Sequence, residues 1–264
     1  MARLTRHSGR PPSVAVRGLF VTGTDTGVGK SIVAAAACAA LAARGTRVAA
    51  FKPAVTGLDD PPGEWPPDHE LLAAQASAGQ RPEDVARYRF GPPVSPHLAA
   101  ERAGVAIEPT ALVAAAARAS AAADALIVEG VGGLMVPLRR GYLVRDLAVA
   151  LGHPLVVVAR PGLGTIGHTL LTLEAARSAG LAVAGVVLTP WRASPTPVEA
   201  SNRETLAEHG AARVTCLPPT RAESLAEGGA ALPLEEWLGE RGRRSRRDDR
   251  LSETRSPLQR ATAA

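Results

Sequence analysis

The sequence predicts an α/β fold: one domain with a mostly parallel sheet covered by helices on both faces. Three observations carry the prediction. Short apolar runs alternate with helical patterns, the chain order of a parallel sheet. The runs are unbroken stretches of Val, Leu and Ile, as strands buried on both faces require. The chain has 264 residues, 46% of them hydrophobic, enough for one sizeable core.

The elements follow in order. Gly18–Thr22 reads as a strand that meets a glycine-rich turn. Ser31–Arg44 is an Ala-rich helix stopped by Gly45, and Arg47–Lys52 is a second strand. The Pro-rich stretch "GLDDPPGEWPPDHE" is a loop inside the domain, because helical pattern resumes at Glu70. Thr110–Ala123 is a helix, followed by the strand Ala125–Glu129 and the short helix Arg145–Leu151. Pro154–Ala159 is a strand, Thr165–Ser178 a helix stopped by Gly180, and Ala182–Leu188 a strand. Asn202–His209 is helical and Ala212–Leu217 is the last strand. Aromatics make up only 3% of the chain, so Ala, Val and Leu must fill the interior.

Composition narrows the function classes. The net charge is +5, yet residues 1–17 carry four Arg and residues 239–264 carry eight Arg against four acids. Residues 18–238 hold 18 Lys+Arg and 21 Asp+Glu, a net of −3, so the basicity belongs to the ends. A nucleic-acid role would rest on tails alone, and none is expected. The ends are expected to be a flexible basic N-terminus (1–17) and a disordered Arg-rich tail (239–264) around a domain at 18–238. No apolar run approaches the roughly 20 residues of a membrane span, and the N-terminus lacks the apolar middle of a signal peptide. Cys38 and Cys216 sit in apolar stretches and read as small buried hydrophobes, which fits a reducing cytoplasm.

Of the 30 basic residues only Lys30 and Lys52 are lysine. In so arginine-rich a chain, a lysine marks a place for a compact ammonium that a planar guanidinium cannot replace. In parallel sheets ligands bind beyond the carboxyl ends of the strands. Thr24–Ser31, Lys52, Glu129 and Gly162–His168 all follow apolar runs.

The stretch "VTGTDTGVGKS" is built to hold phosphate. Gly27, Val28 and Gly29 allow successive N–H groups to point inward at the positive end of a helix. Lys30 then reaches the β- and γ-phosphates and the Ser31 hydroxyl can bind Mg²⁺. Relative to the usual G-x-x-x-x-G-K-[ST], the loop has one extra residue, because Thr24 stands where glycine is expected and Gly23 lies one earlier. The fold is therefore expected to be of the P-loop NTPase type. Lys52, in "FKPAVTG", lies on the ligand side, with Thr26 and Thr56 as candidate hydroxyl partners. Glu129 directly follows a buried strand, where a carboxylate is costly without a cation to meet it, and phosphate-bound Mg²⁺ is the natural one. Asp68, in "PPDHELL", is equally a second magnesium ligand or a helix N-cap. Asp25 is expected to bond local backbone.

These motifs occur together with "PVSPHLAAERAG", "VEGVGGLMVPL" and "GTIGHTLLTLEAARSAGLAVAGVVL". Over roughly residues 18–220 the set resembles ATP-dependent dethiobiotin synthetase. The resemblance implies a reaction in which 7,8-diaminononanoate gains CO2 as a carbamate, the carbamate attacks the γ-phosphate of ATP, and the second amine closes a cyclic urea and expels phosphate. It implies Lys30 and Lys52 as catalytic cations with Thr26, and Mg²⁺ held by Ser31, Asp68 and Glu129. Thr56 would contact the substrate, and Gly162, Leu163, Gly164 and Thr165 would receive its carboxylate across a homodimer. Nucleotide contacts would come from Gly27 to Ile32, Asp68, Glu129, Gly130, Val131, Gly132, Thr189, Pro190, Leu217 and Pro218. The chain departs from the family where an Asn-Asp pair reads adenine in many members: Thr189-Pro190 stands there. Gly27 replaces a frequent Glu, and Gly167 a common Asn. Two other readings remain open at this point: a P-loop regulatory ATPase of the partitioning or division type, and a related ATP-dependent amidase or ligase. The former would expect a second P-loop lysine and leaves "FKPAVTG" unexplained.

Overall fold

The computed structural model describes residues 16–61 and 63–239. The tail expectations for 1–17 and 239–264 fall, but for their innermost residues, outside that range. β1 (Arg17–Gly23) runs through the glycine-rich turn into α1 (Lys30–Ala43). β2 (Val48–Val55), α2 (Asp68–Gln75), the one-turn α3 (Pro82–Val85) and β3 (Ala86–Arg89) follow. Next come α4 (Pro96–Arg102), α5 (Pro109–Ser120) and β4 (Ala125–Gly133). A hairpin of β5 (Pro137–Arg139) and β6 (Tyr142–Leu143) leads into α6 (Val144–Leu151). β7 (Leu155–Ala159), α7 (Thr165–Ser178), β8 (Val183–Leu188), α8 (Pro197–His209) and β9 (Val214–Cys216) complete the sheet. The short α9 (Leu225–Ala230) and α10 (Leu234–Leu238) close the described chain. Among the described residues no helix is long and apolar enough to cross a membrane.

Seven strands form one sheet in the order β3-β2-β4-β1-β7-β8-β9. Every pairing in it is parallel. Side chains alternate along each central strand and build two cores. Phe20, Leu126, Val128 and Leu155 face one side. Leu19, Val21, Ile127 and Val156 face the other, where α1 lies. α1 is buried between the sheet and α9. Its alanines allow that close approach: a side chain at Gly229 of α9 would run into the Ala36 carbonyl and the Ala40 methyl. The Ala-rich, aromatic-poor composition thus becomes tight backbone packing.

Each strand and helix expected from the apolar runs is present. The differences lie in extent. α8 begins at Pro197 rather than Asn202, because Thr196 and Glu199 form a capping box ahead of the apolar pattern. β2 continues past Lys52 to Val55. Its pairing with β4 ends at Phe51, and from Lys52 onward it pairs with β3 alone. Lys52 therefore sits where two strands part, not at a strand's end. β3 carries only two buried residues in "ARYR", too few to signal a strand before its partner is known. Cys38 is fully buried and Cys216 half-buried, and both are free thiols.

Candidate active site

β1 stands at the switch point of the sheet, flanked by β4 and β7. A crevice at the carboxyl ends of these strands is the expected ligand site in such a fold. A cleft of about 560 Å³ opens there. Its wall brings together Lys30, Ser31, Lys52, Asp68 and Glu129 from four separate elements.

The glycine-rich turn forms the floor. Gly27 and Gly29 have φ of 69° and 96°, left-handed values that a side chain resists. Gly29 caps α1, and a Cβ on it would approach the Thr189 Cγ2 at 2.8 Å. The turn closes on itself where Lys30 Nζ donates to the Asp25 carbonyl at 2.8 Å. Asp25 accepts the Thr26 N–H at 2.7 Å, the local bond expected, and also pairs with Arg160 at 3.2 Å. Val28 points into the core, so it offers the cleft only its backbone.

The centre is a knot of charges. Lys52 Nζ lies 2.6 Å from Glu129 Oε1 and 2.8 Å from Asp68 Oδ2. Two of its three N–H donors are thereby engaged, and one remains for a ligand. Ser31 Oγ lies 2.7 Å from Asp68 Oδ1 and 2.8 Å from Glu129 Oε1. Glu129 is 0% and Lys52 2% exposed. Taking such ions out of water is costly unless they are paired. Burial presses the Lys52 pKa down, but Asp68 and Glu129 outweigh it and hold the ammonium above its ordinary value. Burial pulls Asp68 up, and Lys52 and Ser31 outweigh that, holding it below the usual range. Burial drives Glu129 upward, with Lys52 restraining it. Lys30 is lowered, first by burial and then by the charge of Lys52.

The same knot fits a divalent cation. The buried Glu129 Oε2 has no hydrogen-bond partner. The Ser31 hydroxyl has one proton but faces two carboxylate oxygens. Hard oxygen donors with open valence suit Mg²⁺, which takes one or two carboxylates and completes its shell from phosphate and water. Among the described residues no cluster of three or more His, Cys, Asp and Glu side chains gathers as a metal site, so this two-carboxylate set is the candidate. Asp68 is the first residue of α2, with Pro67 in the cap position. The N-cap alternative for Asp68 is thereby corrected: its carboxylate reaches Ser31 and Lys52 instead.

Thr26, Gly27, Ile32, Thr56, Val131 and Gly132 line the same cleft. Gly130 lies behind it, against Phe20 and Val144. Gly162, Leu163, Thr165 and Pro190 do not join them. They line a second cavity of about 460 Å³ with Arg160 and His168, and Gly164 caps α7 beside it. Thr189 is buried against Gly29. Leu217 is fully buried, and its backbone bonds Leu188 and Trp191. Pro218 beside it is exposed. Sequence reasoning gave no role to Trp65, Asp60 or Ser95, which also line the main cleft. The last lies in "PVSPH", where the serine before a proline-led helix is the sequence signal.

A family model described as an AAA domain matches residues 17–224. An ATP-dependent dethiobiotin synthetase BioD from Anaeromyxobacter dehalogenans is 48% identical over 66% of this chain and 76% of its own length. The BioD of Mycobacterium avium is 41% identical over 83% of this chain and 91% of its own. Among solved structures, a septum site-determining protein MinD from Pyrococcus horikoshii shares the fold at 17% identity and a TM-score of 0.50, covering 84% of this chain and 94% of its own. A ParA family ATPase from Chlorobium tepidum does so at 14% and 0.51, covering 85% and 97%. These two share the fold alone, the sequence likeness is to one group of enzymes, and the chain belongs to the ATP-dependent dethiobiotin synthetase family.

Proposed function

We propose that this ATP-dependent ligase forms dethiobiotin in biotin biosynthesis, by carboxylating 7,8-diaminononanoate with CO2 and closing its ring. One amine of the substrate takes up CO2 as a carbamate. A carbamate oxygen attacks the γ-phosphate of ATP, giving a carbamic–phosphoric anhydride and ADP. The second amine attacks the anhydride carbon, closes the cyclic urea and expels phosphate. Two anions, carbamate and triphosphate, must be held in line while they repel.

The observation that carries this reading is the buried Lys52 ammonium, 2 % exposed and held charged by two carboxylates at the mouth of a phosphate-binding turn. Its free donor is the group that neutralises carbamate and γ-phosphate together. Lys30 turns from the Asp25 carbonyl to the β- and γ-phosphates. Thr26 and Thr56 orient the carbamate and the amine. Ser31, Asp68 and Glu129 hold Mg²⁺, which when bound supplies charge neutralisation on the phosphates. Residues 162–165 receive the substrate carboxylate in a homodimer. Thr189-Pro190 offers no Asn-Asp pair for an adenine edge, so base discrimination is expected to be weak. The enzyme works in the cytoplasm.

The test is phosphate release from the purified chain with Mg²⁺, a panel of nucleoside triphosphates, the diamine and bicarbonate. Release that needs both diamine and bicarbonate supports the reading. Release indifferent to both favours a regulatory ATPase and sinks it.

A further inference from the structure

The segment "PVSPHLAAERAG" supplies part of the cleft wall and has no role in the reaction as described. Ser95 occupies the N-cap of α4, where a serine hydroxyl ordinarily accepts a backbone N–H of the first turn. It makes no such bond. Its Oγ instead lies 3.0 Å from Nδ1 of His97. Ser95 lines the main cleft. His97 lines a separate cavity of about 190 Å³ with Glu101, Leu138, Arg139 and Arg140. One hydrogen bond therefore joins a residue of the cleft wall to a residue of a second cavity.

The proposed reaction has a use for that link, and the inference rests on that reading. An ammonium must shed a proton before it can take up CO2, and the second amine must shed another as the ring closes. The cleft is lined by three carboxylates, Asp60, Asp68 and Glu129. Lys30 and Lys52 are donors only. Both Asp68 oxygens and Glu129 Oε1 already receive Lys52 or Ser31, and the free Glu129 Oε2 is the one that fits the proposed Mg²⁺. Of the hydroxyls lining the cleft, Ser95 is the one bonded to an imidazole, the side chain suited to pass protons near neutrality.

We propose that Ser95 and His97 carry protons out of the cleft. A substrate nitrogen gives its proton to Ser95 Oγ as the hydroxyl proton passes to His97 Nδ1. The imidazolium then gives the proton on Nε2 to water on the side of the smaller cavity, which leaves the Nδ1–H tautomer, and a flip of the ring brings the bare nitrogen back to Ser95 Oγ for the next proton. No electrons change hands. Ser95 touches the substrate; His97 is a positioning residue acting through it. The charged groups facing His97 are Glu101 from its own helix and Arg139 and Arg140 from the β5–β6 hairpin. Arg140 pairs with Glu101 at 2.9 Å and Arg139 with Glu108 at 3.1 Å, which offsets their charge against an imidazolium.

The experiment compares phosphate release, dependent on diamine and bicarbonate, across about pH 6 to 9 for wild type, Ser95→Ala, Ser95→Thr, His97→Gln and His97→Gly. A proton carrier of this kind is worth about 10²-fold. Ser95→Ala and His97→Gln are expected to lower kcat by that order at neutral pH, with KM for ATP within about twofold and the loss shrinking as pH rises. Ser95→Thr keeps the hydroxyl and stays within a few-fold of wild type. Added imidazole restores part of the His97→Gly rate. A capping role would alter melting temperature and KM together, without changing the shape of the pH profile. Folded variants whose pH profiles overlay the wild type, or a loss equal at every pH and untouched by imidazole, would overturn the relay while leaving the function standing. A wild type that needs neither diamine nor bicarbonate would overturn both.

Discussion

The two ends of the same central strands bury ionisable groups by opposite means. At the carboxyl end Lys52 stays charged because Glu129 and Asp68 meet it at 2.6 and 2.8 Å. At the amino end the His153 ring packs against Gly18, with its Nε2 buried and unpartnered. Burial lowers its pKa to about 4, so the ring is held neutral. Pairing preserves charge for a ligand to use. Neutralisation only lets the sheet close. The difference teaches that burial alone does not mark a site: a buried charge kept ionised, beside a donor with open valence, does.

The strongest way to break this comparison is Lys52→Met. It leaves Glu129 and Asp68 with no cation between them, and removal of one partner of a buried pair costs about 3 kcal/mol or more. Diamine-dependent phosphate release is expected to fall by about 10³-fold, with Mg²⁺ restoring part of the lost stability in urea titrations. Turnover within tenfold of wild type would show that the carboxyl end is not organised around that ammonium.

The amino end answers to pH. His153 is depressed from 6.5 to about 4 in the folded chain. The unfolded chain therefore binds the proton first as pH falls. The contribution of His153 to stability is full above pH 6.5 and is lost as pH drops toward 4, about 3 kcal/mol in all. His153→Leu should flatten that part of a stability-against-pH curve. An unchanged slope between pH 6.5 and 4 would mean the ring is not held neutral.

Gly29→Ala sharpens the carboxyl-end side. It combines a φ of 96° with a 2.8 Å approach to Thr189, a strain of about 2 kcal/mol. KM for the nucleotide should rise about tenfold or more while far-ultraviolet circular dichroism stays native. The smallest effect belongs to Arg160→Gln. The Asp25–Arg160 pair is more than half exposed on both sides, and such pairs contribute about 0.5 kcal/mol or less. A larger loss in thermal denaturation would show that the P-loop depends on this surface pair.

Much of the site was legible because its residues follow apolar runs and carry unusual chemistry. The two lysines of an arginine-rich chain and a glutamate after "ALIV" are visible in the sequence. The short edge strand β3 was not, since "ARYR" becomes a strand only by pairing with β2. The Asp68 alternatives could not be separated either, because a carboxylate after proline looks the same as a cap or as a ligand. The role of Ser95 is not legible in the sequence, as no local pattern tells that its hydroxyl turns from the helix to His97.

The sequence by itself determined the layered α/β plan, the phosphate-binding turn and the identity of the charged residues, since these depend on hydrophobic period and local backbone freedom. Only the tertiary structure decided which charges meet. Residues 31, 52, 68 and 129 come together because parallel strands share one carboxyl end and because β2 parts from β4 at Lys52. Contacts across such separations are set by packing of the whole sheet, which no local run of residues encodes.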